Sequence, residues 1–154
     1  MMPPGSTIRT SKNRKAPVLL AALCLVSCFA LAQQTELDQR LAEIREVGRF
    51  VPEKAVLQLR QVEPEARAAP PATLGEFLNV LSLAERAIGR HDEALALAGE
   101  LVALAKKHKD NVLLSKGLLS KAYVASRKNQ LDLSHQLFWE AERIANSTEN
   151  LALR

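Results

Sequence analysis

The stretch "RHDEALALAGELVALAKKH", Arg90 to His108, opens on an imidazole and two carboxylates, the residue types of general acid–base chemistry. Catalysis would need His91 and Asp92 to converge on one substrate atom, yet adjacent helical residues point about 100° apart. In a first helical turn, Asp92 and Glu93 instead stabilise free backbone N–H groups by about 0.3–1 kcal/mol each. The other histidines, His108 and His135, lie too far along the chain for a local metal motif, and no HxxxH or HExxH spacing occurs. Neither a glycine-rich phosphate loop nor a G-x-S-x-G turn is present. The residues therefore nominate no catalytic, metal or cofactor site, and all three histidines are expected at the surface.

What must position these residues is helical. The chain has 154 residues, 47% of them hydrophobic and 25% charged, which suits one globular domain, and its 4% aromatic content favours helix over sheet. The net charge of +4 comes wholly from Arg9, Lys12, Arg14 and Lys15; from Gln33 onward 17 basic residues balance 17 acidic ones. No basic stripe with interleaved aromatics remains, so a nucleic-acid partner is not expected.

The first 32 residues explain that asymmetry. "IRTSKNRKAP" precedes the apolar run Val18 to Ala32, which is shorter than the roughly 20 residues of a membrane-spanning helix. Basic, then apolar, then the small residues Ala30 and Ala32 is the order of a secretory signal peptide, so the protein is expected to be exported. Leu25-Val26-Ser27-Cys28 also resembles a bacterial lipobox. Cleavage after Ala32, lipidation at Cys28 and an uncleaved anchor stay open, and a membrane is contacted only through such a signal or anchor, or through a segment beyond these residues. Cys24 and Cys28 are the chain's two cysteines, so a product cleaved after Ala32 has no thiol for a disulfide or metal site.

Residues 33–72 read as a first helix pair and a linker. Leu37, Leu41, Ile44 and Val47 mark one helix, with Thr35 as N-cap and Gly48 at its end. A second starts at Pro52 and carries Val56, Leu59 and Val62; Pro64 is expected to stop it, leaving the proline-rich 64–72 as linker. Thr73 and Glu76 fit a capping box for a helix reaching Gly89, followed by helices over His91–Lys107, Asn111–Arg127 and Leu131–Asn146. Trp139 is expected in the core on account of its apolar area.

These helices repeat. A shift of 40 residues lays Ala94 on Ser134, Ala98 on Phe138, Leu101 on Ala141 and Leu104 on Ile144, and a shift of 39 lays Ala55, Leu59 and Val62 on Ala94, Ala98 and Leu101. At these positions the second helix of each unit resembles that of a tetratricopeptide repeat, in which small residues let paired helices approach. Ser82 and Ala122 match the small residue of the family's first helix; Glu85 and Ala125 stand where it has an aromatic, and its closing proline is missing. The period is similar to that of long variants in bacterial regulatory and sensor proteins.

The resemblance implies an all-α fold of antiparallel helix pairs stacked as a right-handed superhelix, with two repeats and the start of another in residues 73–154. It implies packing at Ala55, Ala94, Ala98, Leu101, Ser134, Phe138 and Ala141. A groove lined by Glu76, Asn79, Arg86, Lys116, Tyr123 and Arg127 would bind a protein or peptide. The expected role is recognition without catalysis, in the periplasmic input region of a longer membrane-bound signalling protein such as a diguanylate cyclase; a stand-alone periplasmic or lipid-anchored scaffold is the alternative. "STENLALR", Ser147 to Arg154, reads as the start of a further first helix, which implies that the chain continues.

Overall fold

The structure, a computed structural model, describes residues 35–147, all within one unit, Gln34–Arg154. The signal segment with Cys28, Ala30 and Ala32, and the segment after Ser147, lie outside the described residues. Those described form six helices and no strand: α1 over 35–48, α2 Pro52–Ala68, α3 Pro71–Ala87, α4 His91–His108, α5 Asn111–Arg127 and α6 Leu131–Ser147. No described helix is long and apolar enough to cross a membrane. The all-α expectation holds, and from α2 onward each helix packs on its sequence neighbours, with α3 also touching α5.

Two boundaries depart from the sequence reading. Pro64 does not end α2, which continues to Ala68, so the linker shrinks to Ala69 and Pro70. Pro64 points to solvent while Val62 and Ala66 on either side are buried, so apolar burial outweighs the missing N–H. The helix yields at Ala69, whose extended backbone suits a residue before proline. Pro71 then opens α3 two residues earlier than the proposed capping box. Thr73 consequently lies inside the helix, where its hydroxyl donates to Asp38 of α1 at 2.8 Å rather than capping.

The later turns repeat at the level of single bonds. Gly89, at φ +83°, and Asn129, at φ +60°, stand 40 residues apart, each in the left-handed conformation. After α3, the N–H groups of Gly89 and Arg90 donate to the carbonyls of Arg86 and Glu85; after α5, those of Asn129 and Gln130 donate to Ser126 and Ala125. This closes the last helical carbonyls and turns the chain back antiparallel. Between α4 and α5, Lys109 adopts the same conformation, and Asp110 caps α5 by accepting from the Leu113 N–H at 2.9 Å.

Small residues set the crossings. The Ser82 hydroxyl donates to the Ala94 carbonyl at 3.0 Å, and that of Ser134 donates to the Ala122 carbonyl at 2.9 Å. These pairs are also 40 apart, with the hydroxyl moved to the opposite helix. Ala55, Ala94, Ala98, Leu101, Ser134 and Ala141 are all buried as expected, whereas Phe138 is only partly so. Trp139 contradicts its core assignment: it is 71% exposed, because α6 is the last described helix and nothing described packs on that side of it.

Glu85 occupies the position of the missing aromatic. It is fully buried, and its carboxylate accepts from Arg60 of α2 at 2.7 Å and from Arg90 at 3.4 Å. Ion pairs thus tie α2, α3 and the start of α4 together at this junction. Arg67 extends the network, bonding Glu63 within α2 and Glu100 of α4 at 2.8 Å each.

Candidate functional site

The six proposed groove residues separate into two groups and one outlier. Glu76 of α3 and Lys116 of α5 pair at 3.0 Å, and Arg45 of α1 meets the same carboxylate. Burial pulls the Lys116 ammonium below its ordinary value, and the nearby Arg45 charge adds to this against the opposing pull of Asp110. This group welds the first helices of three successive pairs. Arg45 was not legible as its member, since it stands 31 residues from Glu76 and 71 from Lys116.

Asn79 is the outlier. It is 7% exposed and belongs to the interior, not to a groove. α3 is packed by α2, α4 and α5, so the strip it leaves to solvent is narrower than the family projection allows.

Arg86, Tyr123 and Arg127 come together. The Arg86 guanidinium lies 4.4 Å from the centre of the Tyr123 ring, in cation–π contact, and Tyr123 itself is 48% exposed. Phe138 of α6 meets the same ring edge-on at 5.1 Å, a contact that the repeat register, which placed Phe138 in the core, did not reveal. Arg86 Nη1 is shielded from solvent and has no hydrogen-bond acceptor. Burial lowers the Arg86 pKa from its ordinary value; Tyr123 opposes this, and the positive charge of Arg127 adds to it. Arg127 is exposed at the end of α5.

Phe138 also borders a cleft of about 640 Å³ between α5 and α6, lined by Ser115, Leu119, Ala141, Glu142, Ala145 and Asn146. The Ser115 hydroxyl donates to the Ala141 carbonyl across it at 3.3 Å. The cleft is mainly apolar and open.

The His91–Asp92 pair that opened the sequence reading stands at the start of α4. Asp92 accepts from Lys128, which ties the start of α4 to the turn before α6 and holds that carboxylate below its ordinary range. His91 is half-buried, and His108 and His135 are exposed. Among the described residues no group of three His, Cys, Asp or Glu side chains could hold a metal ion. The chain matches no family model, no curated protein and no solved structure.

Proposed function

We propose that this chain is a recognition module: helix pairs stacked as a right-handed tetratricopeptide-like superhelix, exported from the cytoplasm, that binds a protein or peptide. On this reading it is the sensory input region of a longer bacterial signalling protein and performs no chemistry itself. The observation that carries the proposal is the half-buried Arg86, whose Nη1 lacks an acceptor while its guanidinium lies on an exposed tyrosine beside a second arginine. Arginine and tyrosine are the side chains enriched where protein interfaces carry most of their energy, and here Tyr123 and Arg127 are exposed with Arg86 half-buried between them. The 40-residue recurrence of the turns and small-residue crossings supports the repeat reading.

The test is capture from bacterial envelope extract by the purified chain and by its Arg86→Glu and Arg127→Glu variants. Loss of the captured protein in both variants supports the module; unchanged capture dismisses the arginine face. The stand-alone scaffold is separated from the sensor by reading the gene downstream of the Arg154 codon. An in-frame membrane helix with a cyclase or kinase domain supports the sensor, and an immediate stop supports the scaffold.

A further inference from the structure

The outward face of α6 carries a stripe that the repeat does not use. Asp132, Gln136, Trp139 and Arg143 are all exposed, and they stand four, three and four residues apart, so they fall in one line along the helix. A 40-residue shift lays Trp139 on Gly99 of α4. A methyl group added at Gly99 would meet nothing within 4 Å, although α5 packs on α4. That side of the second helix is thus open in the preceding pair as well, and packing within the repeat gives no reason for an indole there. A tryptophan 71% exposed at the middle of such a face is the kind of side chain that anchors contacts between proteins.

The charges of the stripe are self-complementary. Its acid lies near the start of α6 and its base near the end, and among the described residues neither takes part in an ion pair. When α6 is laid antiparallel on a copy of itself, about a two-fold axis between residues 137 and 138, Asp132 faces Arg143 of the second copy, and the reverse. Trp139 likewise faces Gln136 of the second copy. Four layers result, an ion pair at each end and an indole against an amide in the two between, with no like charges opposed. A parallel pairing would set acid on acid and base on base, so the charges select the antiparallel one. An open hollow of about 670 Å³ beside Trp139 and Arg143 leaves room for the opposing side chains.

We propose that the outward face of α6 is a homodimer interface, in which Trp139 sits at the centre and Asp132 and Arg143 of the two copies close the ends. The inference goes beyond the recognition reading and does not depend on it. One helix face against its copy is smaller than the roughly 1,200–2,000 Å² of stable complexes, so the association is reversible and set by concentration.

Trp139 is the one tryptophan of the chain, so its emission reports this face in the intact protein. The emission is expected to move to shorter wavelength as protein concentration rises, in step with the dimer fraction seen by sedimentation. Asp132→Arg sets base against base and Arg143→Asp sets acid against acid, so each variant should self-associate at least about tenfold more weakly. Mixed in equal amounts, the two variants regain both ion pairs in a heterodimer, and the mixture should associate within about threefold of the unaltered chain. Trp139→Ala, which empties the central layers, should weaken association by at least about tenfold.

An emission that does not change with concentration would overturn the proposal, whether the indole stays open to solvent or is covered by its own chain. Single variants that associate as tightly as the unaltered chain would do the same, as would a mixture no tighter than its components. Dimers that leave the Trp139 emission unchanged form through another surface and also sink it. If Asp132→Arg lowers helical ellipticity by opposing the dipole at the start of α6, the emission series on the unaltered chain and the Arg143→Asp variant decide the matter.

Discussion

At the scale of single residues, Glu85 departs furthest from the repeat pattern and carries the clearest energetic consequence. Its side chain is inaccessible to solvent, but Arg60 and Arg90 are themselves 44% and 57% exposed, so their charges keep much of their hydration when the carboxylate is lost. Glu85→Gln keeps the shape and removes the charge, and should destabilise the fold by about 1–3 kcal/mol, measured by urea unfolding. A double-mutant cycle with Arg60→Ala should return a favourable coupling; its absence would mean that Glu85 is held by packing alone. Glu63 gives the acid response. Burial tends to raise its pKa, but hydrogen bonds and charge from Arg60 and Arg67 outweigh this and hold it below the ordinary value. For a carboxylate lowered on folding, the stabilisation is present above the unfolded value and disappears as pH falls through the folded one. Stability attributable to these two ion pairs should therefore stay level from neutral pH to about pH 5 and decline below about pH 4, and Glu63→Gln should flatten that decline in urea midpoints taken across the range.

At the scale of elements, glycines separate close approach from open helix. A methyl group added at Gly117 of α5 would press on Val102 Cγ2 at 2.8 Å and on the Val102 backbone N at 3.3 Å, where α4 cannot easily give way. Gly99, inside α4, has nothing within 4 Å of the same addition. Gly99→Ala should stabilise by about 0.5–1 kcal/mol through helix propensity, while Gly117→Ala should lose about 1–2 kcal/mol because overpacking exceeds that gain. Denaturant midpoints moving in the same direction for both would refute the close crossing. The helices α3 to α6 were legible because apolar residues recur with the helical period between turn-forming residues such as Gly89 and Asn129. Pro64 misled, since the rule that proline ends a helix does not register that Ala66 extends the buried stripe beyond it. The candidate face was half legible for a related reason: repeat register gives direction around a helix, not depth. It brought Arg86, Tyr123 and Arg127 to one place, but it did not foresee that α3 is covered on enough sides to bury Asn79, or that α6 is covered on too few to bury Trp139.

For the whole molecule, the question is whether the helix pairs are copies of one unit or merely helices of similar length. The crossings at Ser82–Ala94 and Ala122–Ser134 offer a test, because in each a serine hydroxyl donates to the backbone carbonyl of the alanine opposite, and they differ only in which helix supplies the hydroxyl. If the backbones are equivalent, the serine of the α3–α4 pair can be moved across the crossing as it is in the α5–α6 pair. Ser82→Ala alone should cost about 0.5–1.5 kcal/mol, since the bond to the Ala94 carbonyl is lost and Ser120, whose hydroxyl lies 2.6 Å from that of Ser82, loses its partner. Adding Ala94→Ser should return the part that belongs to the crossing, by a new bond to the residue 82 carbonyl, but not the part that belongs to Ser120. Partial recovery in the double variant, with helical ellipticity unchanged, is thus the signature of a repeated unit. A double variant less stable than Ser82→Ala would mean that the α4 side of the crossing has no room for the oxygen, and that the 40-residue correspondence does not extend to the packing of the backbones.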